Sequence, residues 1–168
     1  MVKKWFMALS LAGAAVFSPV ICPLDAPAAV VEAAQAPDAA ITRIGSGEAT
    51  SIAALSGNRP LYLNFWASWC PPCVGEMPSI DAMYRKYGEQ MNFACVSVDS
   101  SEADAKAFHE KAGLSVPLYY GDEAAICKAY DIQAIPVSIL VAPGGGIIAT
   151  HVGGMSEAEL EAFLKKAL

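Results

Sequence analysis

The chain has 168 residues, 55% of them hydrophobic and 9% aromatic, with 17 acidic against 11 basic side chains. That length and apolar content suit one domain that builds its own core without disulfide or metal staples. The net charge of −6, with Lys and Arg scattered along the chain, excludes the basic stripe that a nucleic-acid partner requires.

Lys3 and Lys4 precede an uncharged apolar run, Trp5–Phe17, and small residues follow as Ala26-Pro27-Ala28 and Glu32-Ala33-Ala34. This order is that of a secretory signal peptide over residues 1–34. The run is shorter than the ~20 residues of a spanning helix, and Pro19 and Pro23 interrupt its extension, although a retained anchor is the alternative. Ile21 stands before Cys22 where lipid attachment would want a small residue. Residues 35–40, rich in Ala and Pro, read as a linker, and the folded domain is expected over 41–168. Export places the chemistry in the periplasm or at the extracytoplasmic face of the cell membrane, where disulfides persist. Losing the leader removes Lys3, Lys4, Asp25 and Glu32, so the domain stays acidic and keeps Cys70, Cys73, Cys95 and Cys127.

Leu61–Trp66 (LYLNFW) is aromatic-rich and predicts a strand. Cys73–Tyr87 predicts a helix despite Gly75 and Pro78, because Ile80, Met83, Tyr84 and Tyr87 recur at i, i+3, i+4 and i+7. Phe93–Val98 (FACVSV) has the continuous apolar character of a buried parallel strand. Glu102–Lys111 predicts the next helix, with Ser101 and Asp104 at capping-box spacing. A short strand at Leu118–Tyr120 and a short helix at Ala124–Tyr130 follow. Val137–Val141 and Ile147–His151 flank Pro143-Gly144-Gly145-Gly146 as an antiparallel hairpin. Ser156 and Glu159 open a final helix ending near Leu168. The alternation implies an α/β domain, a mixed central sheet with helices on both faces.

The chemistry lies in Cys70-Pro71-Pro72-Cys73, at a strand-to-helix junction. A cysteine beside a helix N-terminus meets unpaired N–H groups and the positive end of the macrodipole, which favour a thiolate. Cys70 is therefore the expected nucleophile, and Cys73, three residues on, the resolving thiol. Pro71 and Pro72 fit a first turn, where a missing N–H costs little, and stiffen the loop between the sulfurs. A zinc site would want four ligands, usually with a second close-spaced pair. Cys95 and Cys127 are far apart in sequence, and His109 and His151 are isolated surface candidates. A purely structural staple closing so small a loop would contribute little chain entropy.

Asn64-Phe65-Trp66-Ala67-Ser68-Trp69-Cys70-Pro71-Pro72-Cys73 resembles the active-site signature of the thioredoxin superfamily. The continuation Val74-Gly75-Glu76-Met77-Pro78 is similar to the exported TlpA/ResA-like branch, whose pattern is W-C-x-P-C-x-x-E-x-P. The likeness runs from Ile41 to Leu168 and implies a thioredoxin-like three-layer sandwich. It implies a cis peptide bond at Ile135-Pro136, opposite the cysteines. There the Ile135 backbone would meet an extended substrate strand, and the proline would keep metals off the dithiol. Asn64 stands where thioredoxins carry a buried Asp, and the resemblance gives its proton-handling task to Glu76. Gly153 matches a glycine loop beside the site, and Trp69 a partner contact. Trp66 reads as core packing that frames the dithiol. Cys95 and Cys127 read as free thiols, with a second disulfide between them as the alternative.

The expected activity is dithiol–disulfide exchange on disulfide-containing protein substrates, by a monomer that needs no metal or organic cofactor. The relatives imply a reductant, for example of apocytochrome c, itself re-reduced by a membrane thiol carrier. The rival of the same fold is a disulfide-forming oxidant, because Pro-Pro does not place the pair on the scale from about −270 mV for thioredoxin to about −120 mV for a strong oxidant. A peroxiredoxin-like peroxidase would need a Pro-Thr-Cys setting, which the sequence lacks. A copper-binding chaperone would space its cysteines by three residues and add a ligand His.

Overall fold

The computed structural model describes residues 34–168, so the signal peptide and the Cys22 reading lie outside the described residues. In chain order the elements are β1 (Ala40–Arg43), β2 (Ala49–Ser51), α1 (Ile52–Ser56), β3 (Leu61–Trp66), α2 (Pro71–Tyr87), β4 (Asn92–Ser97), α3 (Glu102–Ala112), β5 (Leu118–Gly121), α4 (Glu123–Ala129), β6 (Val137–Val141), β7 (Ile147–Val152) and α5 (Glu157–Leu164).

The described strands form one mixed sheet in the order β2-β1-β5-β4-β3-β6-β7. The pairs β3–β4 and β4–β5 are parallel, and β3–β6, β6–β7, β1–β5 and β1–β2 are antiparallel. All six residues of β3 are buried, as an interior strand between β4 and β6. Side chains alternate between the faces of a strand. Tyr62 packs at a tilt against Phe93, and Phe93 meets Tyr84 of α2; Phe65, of opposite parity, packs on Tyr130 at the end of α4. Both faces are thus covered, and the three-layer α/β architecture holds.

Several boundaries move for local reasons. Helix α2 begins at Pro71 rather than Cys73, because Pro71 and Pro72 occupy the first turn and Cys70 is the N-cap. It continues through Pro78 at the loss of one ladder bond. Ser101 caps α3 through the Ala103 N–H, without the reciprocal Asp104 half of the expected box. At α5 the full box between Ser156 and Glu159 is present, but the helix stops at Leu164. The strands β1 and β2 and the helix α1 have too few residues to show a period. The hairpin turn needs φ of +86° at Gly144 and +97° at Gly145, which only glycine adopts without strain.

The stretch 35–40, read as a linker, begins by pairing with the hairpin turn and ends in β1. The Ala36 N–H donates to the Gly145 carbonyl (2.8 Å), the Ile147 N–H to the Ala34 carbonyl (2.7 Å), and Gln35 bridges Gly146. An Ala- and Pro-rich stretch shows no periodicity, yet its bare backbone pairs with the open edge at the turn. The two histidines are half-buried, not surface residues. His151 packs edge-on against Phe163 (6.2 Å between ring centroids), and His109 lies with its Nε2 edge towards Gly45 and its Nδ1 enclosed.

Candidate active site

The site forms at the carboxyl end of β3, where the chain turns into α2. Cys70 has extended backbone angles (φ −92°, ψ 103°), and its Sγ accepts a hydrogen bond from the Cys73 N–H at 3.3 Å. A sulfur cap on a helix N-terminus is where a thiolate gains from N–H dipoles. Cys70 and Cys73 are joined in a disulfide. Both sulfurs are largely enclosed, but unequally placed. Cys70 lines an open groove of about 460 Å3 with Trp69, Pro71, Pro72, Cys127 and Ile135, whereas Cys73 does not reach it and is 1% exposed. Trp69, 67% exposed, stands at the mouth.

The opposite wall is Ile135–Pro136, whose peptide bond is cis. The Ile135 carbonyl oxygen lies 3.9 Å from Cys70 Sγ. The Gly153 N–H donates to the Pro136 carbonyl at 2.8 Å, with Gly153 at φ +105°. That bond turns the chain after β7 back over the site, where Gly154 approaches Pro72.

Glu76 sits one helical turn beyond Cys73, 4% exposed. Its Oε1 accepts from the Met155 N–H at 3.2 Å, and its Oε2 has no partner. Burial pushes the carboxyl above the ordinary glutamate range, and the one backbone hydrogen bond pulls weakly the other way. Asn64 donates to Ser138 Oγ at 3.1 Å, Tyr62 shares that hydroxyl at 2.9 Å, and Asn64 Oδ1 is unpartnered. A buried acid with one free oxygen can take up and return a proton without waiting on water.

Asp99 went unread in the sequence. It is 1% exposed at the end of β4 and accepts from the Ser68 N–H (3.1 Å to each oxygen), the Ser68 hydroxyl (2.8 Å) and the Ser97 hydroxyl (2.6 Å). It thereby fixes the loop that ends in Trp69 and Cys70. The parallel pairing of β3 with β4 brings the two strand ends together, and that was the available signal. Trp66 is fully buried against Phe108, as core packing. Cys95 and Cys127 are free. Burial first, then the Glu76 and Asp81 charges, drives the Cys95 thiol far up, so it stays unreactive. Burial also raises the half-buried Cys127 in the groove wall. Among the described residues no three His, Cys, Asp or Glu side chains converge as a metal set.

The Redoxin family description matches residues 32–164. The thiol-disulfide oxidoreductase ResA of Halalkalibacterium halodurans is 34% identical over 71% of this chain and 68% of its own length. The thioredoxin-like protein YneN of Bacillus subtilis is 33% identical over 79% of this chain and 78% of its own. The crystal structure of StoA from Bacillus subtilis superposes with a TM-score of 0.66 at 26% identity, covering 77% of this chain and 97% of that one.

Proposed function

This chain belongs to the Redoxin family as a ResA-like thiol–disulfide oxidoreductase, and on that premise we propose that it is exported and acts as a reductant of disulfide-containing proteins. Dithiol–disulfide exchange is the activity that its relatives name. The observation that carries the division of labour is that Cys70 lines the groove and Cys73 does not.

The Cys70 thiolate attacks one sulfur of the substrate disulfide. A new S–S bond forms, the substrate bond breaks, and the leaving thiolate takes a proton. Glu76 accepts the Cys73 proton, and the Cys73 thiolate attacks Cys70 Sγ. The second substrate thiol departs, two electrons have passed to the substrate, and Cys70–Cys73 is oxidised. Trp69, Pro71, Pro72, Ile135, Pro136 and Gly153 form the wall along which the substrate backbone lies. The cycle needs no metal or organic cofactor, only a thiol donor that re-reduces the pair, and a membrane thiol carrier fits that place.

Glu76 supports the direction. An acid in low dielectric with no cation partner disfavours thiolates beside it when ionised. It therefore weakens the reduced dithiolate relative to the disulfide and lowers the potential. The Cys70 cap acts the other way, and it is the observation that favours the rival, a disulfide-forming oxidant. The leader features Lys3, Lys4 and Trp5–Phe17 support export. The ResA-like resemblance supports apocytochrome c as one substrate and a monomer as the working form.

Equilibration of the Cys70–Cys73 pair with thiol buffers separates the directions. A potential near or below about −270 mV fits a reductant, and one near about −120 mV overturns that reading for the oxidant. A Cys73→Ala variant should accumulate mixed disulfides with its natural substrates. Tight copper binding without any exchange would replace both readings with a metal chaperone.

A further inference from the structure

The groove does not end at the dithiol. Ile132, Gln133 and Ala134, the residues before Ile135, line it and also line a second cavity of about 440 Å3. The floor of that cavity is Val137, Ile139 and Val152, brought onto one face by the pairings Val137↔Val152 and Ile139↔Thr150. Its walls include Tyr130 and Pro37, tied by a hydrogen bond from the Tyr130 hydroxyl to the Pro37 carbonyl. Asp131 is the one charged residue in the lining. Val152 is 62% exposed, an uncommon state for a strand valine, and the apolar surface therefore runs from Trp69 at one end to Val152 at the other.

The geometry points to a specificity subsite: an apolar side chain of the substrate polypeptide, two to four residues from its reacting cysteine, seats in this cavity. A substrate chain must cross Cys70 and pass the Ile135 backbone. Its continuation over residues 132–134 enters the second cavity directly, so the two sites are one surface. Val137 lies two residues past Ile135, and an extended chain advancing about 3.3 Å per residue covers that span in two to four residues. The lining is mostly apolar, with Gln35, Gln133 and Thr150 as its uncharged polar residues and Asp131 as its one charge, and it takes a Leu-, Ile- or Phe-sized group. The preferred substrate is thus an extended, incompletely folded segment whose apolar residues are still uncovered near the cystine. This inference rests on the exchange reading above and names the substrate class for it.

The test uses reduced protein and short peptides, each carrying one cysteine as a mixed disulfide with a small thiol. Leucine is scanned from one to five residues on either side against a serine background, and exchange is quenched and counted by mass. At one offset within two to four residues leucine should raise the second-order rate about tenfold over serine. Val152→Asp, at an exposed position that does not endanger folding, should bring that ratio below about twofold. Brisk exchange with a flat leucine scan overturns the subsite and leaves the exchange reading intact. A preference that survives Val152→Asp also overturns it. A dimer seen by sedimentation that Val152→Asp dissolves would assign the cavity to a second copy instead. Failure to react with any peptide or with a small-molecule disulfide overturns the exchange reading and the subsite together.

Discussion

Two buried carboxylates flank the dithiol, and they are held in opposite ways. Asp99 has both oxygens occupied, by a backbone N–H and two hydroxyls, and among the described residues it has no cation partner. Glu76 has one backbone donor on one oxygen and nothing on the other. A buried charge that is fully hydrogen-bonded is architecture, because every donor it satisfies would otherwise be stranded. A half-satisfied acid is stored cost, of the sort that persists where chemistry uses it. One carboxylate therefore holds the loop before the dithiol, and the other is left open for the proton-handling role proposed above.

The largest effect should come from Asp99→Ala. It strands the Ser68 N–H and two hydroxyls, and urea unfolding should show a loss of about 3 kcal/mol. A stable Asp99→Ala protein would break the contrast. Glu76→Gln should leave stability at neutral pH nearly intact or improved but slow exchange. Stopped-flow rates for the resolving step should fall about tenfold to a hundredfold, and an unchanged rate and unchanged thiol titration would strip Glu76 of its role. The smallest effect is in pH dependence. A carboxyl raised in the folded state contributes stability that is complete below its unfolded pKa and lost as pH rises through its folded pKa. Wild type should therefore lose stability relative to Glu76→Gln between acid and neutral pH, the loss setting in at the ordinary glutamate range and levelling off above it. Parallel curves would place Glu76 among the structural acids.

The sequence made the chemical half of this site legible and much of the architectural half not. Cys70, Cys73 and the helix after them follow from one short motif, since cysteine spacing, proline tolerance and helix polarity are local properties. The Ser156–Glu159 box was legible for the same reason. Asp99 was not, because an acid after a strand reads as a turn residue and its partner Ser68 is 31 residues away. The pairing of Gln35 and Ala36 escaped because it is made by backbone, to which composition is blind. The half-burial of His151 depends on Phe163, brought there by α5.

The attachment of Ala34 and Ala36 to the hairpin turn has a further meaning as geometry of a leash. The turn follows Val141, which pairs with Leu61 at the start of β3, while Cys70 lies just past Trp66 at the strand's other end. Six residues of strand separate those levels by roughly 17 Å. A chain held by whatever precedes Ala34 is therefore gripped at one pole and presents its disulfide at the other. Tethering at that point would orient the molecule with its reactive end outward.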